Sequence, residues 1–281
     1  MSLANYSDNY PLLPVPCLVI LREMKVIFSR KGWDSSAGGK ASPILPSGEL
    51  YSIPIPCSVG SPLYSSISPT VLTRVGFSSA ASLIARLPGV ISVPDAHLDP
   101  DLDFSGIKRS LNWKPCFGQR GRAARHLDNQ GVGIGDLFLF YGWFDNVTVS
   151  VGSTLKYAGN DMYVIWGYLQ IERILSLPLS SIPTWLNYHP HVVHQSYYLS
   201  THPKNQIYIA TDRLKINGLN KSLPGAGVFD RYHANRSLTK TPGKRGCMPD
   251  KLPKDCSKFR QEHVCNNTAT SVLGGASFYF I

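Results

Sequence analysis

Hydrophobic positions along the chain gather into short runs separated by turn-forming residues, and this pattern predicts more strand than helix. "KVIFS" (25–29) predicts a strand that feeds a polar turn with Gly38 and Gly39. "ASPILPSGELYSIPIP" carries four prolines around a "PSG" turn and predicts a hairpin with extended, proline-limited edges. Residues 77–87 predict the first helix, begun by serine and ended by "PG". "PDAHLDPDLD" (94–103) predicts a loop. "FGQRGRAARHLDNQG" (117–131) predicts a short helix carrying Arg120, Arg122 and Arg125 and stopped by Gly131. The aromatic and β-branched runs 136–144 and 163–175 predict the strongest strand pair, joined by a polar linker. Residues 205–214 predict a further strand, and the chain is loop-rich from "KSLPGAGVF" onward, with a basic, proline-broken segment at 240–258. Together these elements predict one α+β domain dominated by a curved, mostly antiparallel sheet with few helices.

Charge adds a constraint on partners. Lys and Arg number 28 against 18 Asp and Glu, for a formal net charge of +10. That balance favours phosphate-bearing partners, namely nucleic acid, nucleotides or an anionic surface. Contact with a membrane is not expected, because no apolar run approaches the ~20 residues of a membrane span. "PLLPVPCLVIL" is broken by prolines, has no basic residue before it and is followed by "REMK", so a cytoplasmic location is expected. Cys17, Cys57, Cys116, Cys247, Cys256 and Cys265 form no CxxC pair and read as buried or incidental thiols.

Four stretches carry candidate chemistry. In "SRKGWDSSAGG", Arg30 and Lys31 with Ser35, Gly38 and Gly39 could cradle a phosphate, and Asp34 could act on a ribose or base; a solvated surface turn is the alternative. In "AHLDPDLD", Asp99, Asp101 and Asp103 fall on alternate positions, so they could share one side with His97 as a cation site or a general base. A loop that caps a following turn explains them equally. In "RHLDNQG", His126, Asp128 and Gln130 stand where a helix meets glycines and could face a pocket, or merely end the helix. In "YHPHVVH", His189, His191 and His194 could converge on a ligand or supply protons near neutral pH. Trp143 or Trp166 offers a stacking platform if its strand face is open. No cofactor is named by these patterns, and a metal stays open.

"SRKGWDSSAGGKASPIL", "AHLDPDL", "RHLDNQGVGIGDLFLFYGWF", "WGYLQI", "HPHV", "NQIYIA" and "GAGVF" occur in this order. Together they resemble the third of the nucleotide modification associated domain families, found in bacteria and phages. The resemblance assigns residues 24–265 to the domain, leaving 1–23 as an N-terminal extension and 266–281 as a divergent tail. It implies a role in DNA base modification, with nucleotide or DNA binding and partner base-modification enzymes. On that reading Asp34, His97, Asp99, Asp101, His126 and Asp128 are the catalytic candidates, and Arg30, Lys31, Ser35, Gly38, Gly39, Gln130, Trp143, His189 and His191 bind the ligand. The alternative is a module that recognises a modified base and recruits an enzyme. The strand pair is also similar to the small PUA-like barrels that read such bases.

Overall fold

The computed structural model describes residues 23–57, 62–89, 94–201, 204–216 and 222–239, together with the backbone of 277–280. The fold is built on two long strands, β6 (Leu137–Val149) and β8 (Met162–Ser176), which pair antiparallel through Phe138↔Leu169 with a register shift after Phe140. They are the aromatic-rich pair expected from sequence. Nearly every position of β6 up to Val147 is buried or half-buried, which is why it reads as a continuous apolar run without alternation.

The remaining strands extend this pair. β1 (Lys25–Arg30) lies parallel to β6, and β11 (Ser277–Phe280) lies parallel to β1, so part of the segment assigned to a tail joins the sheet. β9 (Asn205–Ala210) pairs with β8, and β5 (Cys116–Arg120) pairs with β9, giving the order β11-β1-β6-β8-β9-β5. β2 (Ser42–Ile44) and β7 (Leu155–Tyr157) flank β6, and β10 (Ala226–Val228) flanks β8. β3 (Ile55–Cys57) and β4 (Asp95–His97) form a separate pair. The helices are short: α1 (Thr70–Arg74), α2 (Ala80–Ile84), α3 (Gly121–Asn129), α4 (Pro190–Val193) and α5 (Gln195–Thr201). The architecture is α+β, with a mixed, mostly antiparallel sheet.

Several local expectations change. The sheet is open among the described residues, so the PUA-like barrel is not formed: β5 and β11 end the path without meeting. The "PSG" turn closes through Gly48 N–H to Leu45 O, but the second arm of the expected hairpin leaves to pair with β4. Residues 95–97 are thereby a strand and not a loop. The expected helix at 117–131 starts only at Gly121, because Cys116–Arg120 is drawn into the sheet by β9. The basic segment 240–258 and residues 1–22 lie outside the described residues.

The core occupies both faces of the sheet. Ile27, Phe117, Phe138, Phe140, Leu169 and Tyr208 pack on one, and Trp185, Leu186, Val192, Ile207 and Ile209 pack on the other. β5 is the outer strand of its side, and the following chain feature covers its open edge. Asp101 exchanges both backbone hydrogen bonds with Cys116, each 2.9 Å long, so "HLDPDL" runs along that edge.

Candidate functional site

Strand alternation separates the two basic residues of the first stretch. Arg30 points outward and pairs with Asp34 at 2.6 Å. Asp34 also accepts hydrogen bonds from Ser36 N–H, Ser36 Oγ–H and Ala37 N–H. Burial works to raise the Asp34 carboxyl, and these bonds together with Arg30 outweigh it and lower it. Gly38 has φ +94°, and a Cβ there would fall 2.5 Å from Trp33 Cγ. Arg30, Asp34, Ser35, Gly38 and Gly39 thus form a self-closed surface turn. Lys31 goes inward. Its ammonium stands 4.7 Å over the Phe117 ring, and its carbonyl accepts from Trp166 Nε1 at 3.3 Å. Burial lowers the Lys31 ammonium, and the charge of Asp99 opposes that.

Asp99 is the centre of a buried polar cluster. Its Oδ1 accepts from the Gly118 N–H of the sheet edge at 2.6 Å and lies 3.5 Å from His189 Nε2; its Oδ2 lies 3.6 Å from His191 Nε2. Burial alone would raise this carboxyl, but His189, His191 and the Lys31 charge hold it well below the usual carboxylate range.

Hydrogen bonds fix where the ring protons sit. Asn205 Nδ2 donates to His191 O at 3.0 Å, which turns Asn205 Oδ1 toward His191 Nδ1 at 2.6 Å. That oxygen can only accept, so Nδ1 carries a proton. The other ring nitrogen, His191 Nε2, faces Asp99. His189 is set the other way. Its Nδ1 accepts the His191 N–H as the cap of α4, so Nε2 holds the proton of the neutral ring, aimed at Asp99. His189 is fully buried and its Nε2 has no hydrogen-bond partner within normal length.

His97 completes the cluster from β4. Its ring centroid is 6.0 Å from that of His191, and its Nε2 is 3.4 Å from the Tyr198 hydroxyl. Tyr198 in turn stacks under the Arg120 guanidinium at 4.1 Å. Burial depresses His97 to about 4, against the pull of Asp99, so the ring is neutral at pH 7. This gives a stability test. The unfolded chain binds this proton below about pH 6.5, whereas the folded chain resists it until about 4. Stability from this residue is therefore full above the unfolded value and lost as pH falls, on the order of 3 kcal/mol by pH 4. Urea unfolding at pH 7.5 and 4.5 should show a smaller acid loss in His97→Gln than in the native chain; equal losses would rule the assignment out.

Asp101 does different work. Arg109 grips it through both carboxylate oxygens at 2.6 and 2.7 Å, Tyr188 O–H donates to it at 2.6 Å, and Trp113 Nε1 donates at 3.1 Å. Asp103 accepts from Ser105 N–H and Oγ–H, each at 2.8 Å. All three carboxylates line one cleft, each committed to a different partner, while His97 is not among that cleft's lining residues. Among the described residues, no three His, Cys, Asp or Glu side chains are arranged to hold a metal ion.

The cleft opens beside Asp99. It encloses about 670 Å³, part of it open to solvent, between Tyr51, Trp166 and Phe229, with Asp99, Asp103 and Arg109 among its polar lining. Trp166, not Trp143, stands in this wall. Trp143 is half-buried and opposite Tyr163 in the sheet.

The remaining candidates lie elsewhere. Asp128 pairs with Lys204 and reaches Gln206, which alternates with Asn205 and so faces the opposite side of β9 from the His191 cluster. Gln130 O accepts from Lys25 Nζ at 2.5 Å near the end of α3, and His126 is a half-buried residue of that helix. His194 lies 3.6 Å from Cys57 Sγ. Sequence reasoning missed Arg109, Tyr188, Asn205, Tyr51 and Phe229. The one available signal was Gly118, an isolated glycine in a strand, which marks a close approach. A Cβ there would fall 2.3 Å from His191 Cδ2.

Compared with known families, residues 25–271 match the model of nucleotide modification associated domain 3. No curated protein matches the chain, and no solved structure does. Among the described residues, no helix is long and apolar enough to cross a membrane.

Proposed function

The chain belongs to the nucleotide modification associated domain 3 family, and on that footing we propose that it is an enzyme acting on a nucleotide or a DNA base at the cleft beside Asp99. One observation carries this reading: a buried, ionised carboxylate on the cleft wall gathers His189, His191 and Lys31 from distant parts of the chain. The neighbouring groups keep Asp99 ionised in spite of its burial, and pKa-perturbed clusters of this kind concentrate at catalytic sites. In this reading Asp99 holds and orients the His191 proton. His191 Nε2 delivers or accepts it. His97, neutral at pH 7, is a proton acceptor, and the Lys31 ammonium behind the cleft wall keeps Asp99 ionised. The net charge of +10 suits a nucleotide or DNA partner in the cytoplasm, alongside other base-modification enzymes.

The test is mass spectrometry of nucleosides from DNA of cells carrying the native system, with the intact protein or with Asp99→Asn. Loss of a modified nucleoside, with a variant that still unfolds cooperatively, is the expected result. An unchanged nucleoside profile with a folded variant would overturn the enzyme. The aromatic walls Tyr51, Trp166 and Phe229 favour a second reading, a module that binds a modified base without turnover. That module would retain its role in Asp99→Asn.

A further inference from the structure

The chemistry of the cleft wall narrows what it accepts. Arg109 is the one Lys or Arg among its lining residues, and its guanidinium has no N–H to spare. Nε donates to Phe104 O; Nη1 donates to Asp101 and to Tyr188; Nη2 donates to Asp101 and to Asp103 O. A guanidinium has five N–H groups, and these five acceptors use all of them. The cleft therefore offers no cationic donor to a phosphate. What it does offer is acceptor capacity. Asp103 Oδ1 takes Ser105, while Oδ2 has no hydrogen-bond partner among the described residues. The Tyr51 hydroxyl has none either, and burial, with the charge of Asp103 as a lesser cause, keeps it protonated and able to donate.

We infer that this cleft binds a nucleobase bearing an exocyclic amino group, stacked among Tyr51, Trp166 and Phe229, with its amino N–H donated to Asp103 and its ring edge met by the Tyr51 hydroxyl. The inference rests on the enzyme reading only for the cleft's being the substrate site. Cytosine, adenine and guanine each present amino N–H groups to a carboxylate. Thymine and uracil carry a carbonyl oxygen on each side of their one imino N–H on the pairing edge. A carboxylate in line with that N–H faces two electron-rich oxygens and is repelled. Asp101 and Asp230 in the lining are neutralised by Arg109 and Arg74, so the selection for donors falls to Asp103. Phosphate is left outside the cleft.

The experiment titrates the full chain with deoxycytidine, deoxyadenosine, deoxyguanosine and thymidine, followed by ligand-observed NMR. These probes lack phosphate, so they report on the base alone. At least one amino-bearing nucleoside should bind about tenfold or more tightly than thymidine, the discrimination expected of one well-placed base contact. Asp103→Asn, whose amide donates as well as accepts, should shrink that preference below about threefold. Tyr51→Phe keeps the ring and removes the donor, so it should weaken the amino-bearing nucleosides while leaving thymidine unchanged; it serves if Asp103→Asn does not fold. Equal affinity for all four nucleosides, no binding at millimolar concentration, or a preference that survives both variants would each overturn the inference. The enzyme reading fails separately, through an unchanged nucleoside profile in Asp99→Asn. Base preference with no modified nucleoside would sink the enzyme and keep the base.

Discussion

Replacing Arg109 with alanine should destabilise the fold by about 3–5 kcal/mol, the range for removing one partner of a buried ion pair. The side chains of Arg109 and Asp101 are only 3% and 1% exposed. Alanine leaves the Asp101 carboxylate in the interior with Tyr188 and Trp113 as its remaining side-chain donors, and neither carries a charge. It also releases Phe104 O and Asp103 O, which Arg109 ties into the loop before it, and removes the guanidinium stacked 4.1 Å over Trp113. Arg109→Lys should recover little, since an ammonium cannot fork two carboxylate oxygens and reach three further acceptors. Pairing Arg109→Met with Asp101→Leu should restore most of the loss, because the penalty comes from a stranded charge and not from a missing attraction. Urea unfolding of the three variants decides it. A loss under about 1 kcal/mol in Arg109→Ala would mean that the pair is solvated and that Asp101 does not pin this wall of the cleft.

The same pair marks the limit of what the sequence could disclose. The β6–β8 hairpin was legible because its aromatic and β-branched content is local to each strand. The boundary at Gly121 was not, since Cys116–Arg120 becomes a strand only through β9, far along the chain. Asp99 and the "YHPHVVH" histidines were each visible as candidates, but nothing between them announces that Asp99 meets His189 and His191. Asp101 looked equivalent to Asp99 because both carry the same charge two residues apart. Their roles separate only when the sheet edge presents Gly118 N–H to one and Arg109 comes to the other. Period-two alternation could have divided Arg30 from Lys31 in advance, as they are successive residues at a strand end.

The second large effect is expected at Gly118. Its φ is not in the left-handed region, so alanine brings no backbone strain there; the obstacle is space. A Cβ would lie 2.3, 2.5 and 2.7 Å from Cδ2, Cγ and Nε2 of His191. Asn205 holds that ring through Nδ1 and through its backbone carbonyl, so the ring cannot slide aside without breaking a buried hydrogen bond. Overpacking of this kind costs about 1–3 kcal/mol. The chemical effect should be larger, since a shift of ~1 Å in a reacting group can cost about a hundredfold in rate. Gly118→Ala should therefore remain folded while the yield of modified nucleoside falls toward that of Asp99→Asn. In a His191→Ala background the same substitution should cost little further stability, because the clash is gone, and should return no yield, because the proton carrier is gone too. This split separates a packing role from a chemical one. Recovery of yield in the double variant would show that His191 only fills space beside Gly118, and the proton on its Nε2 would lose its part in the mechanism.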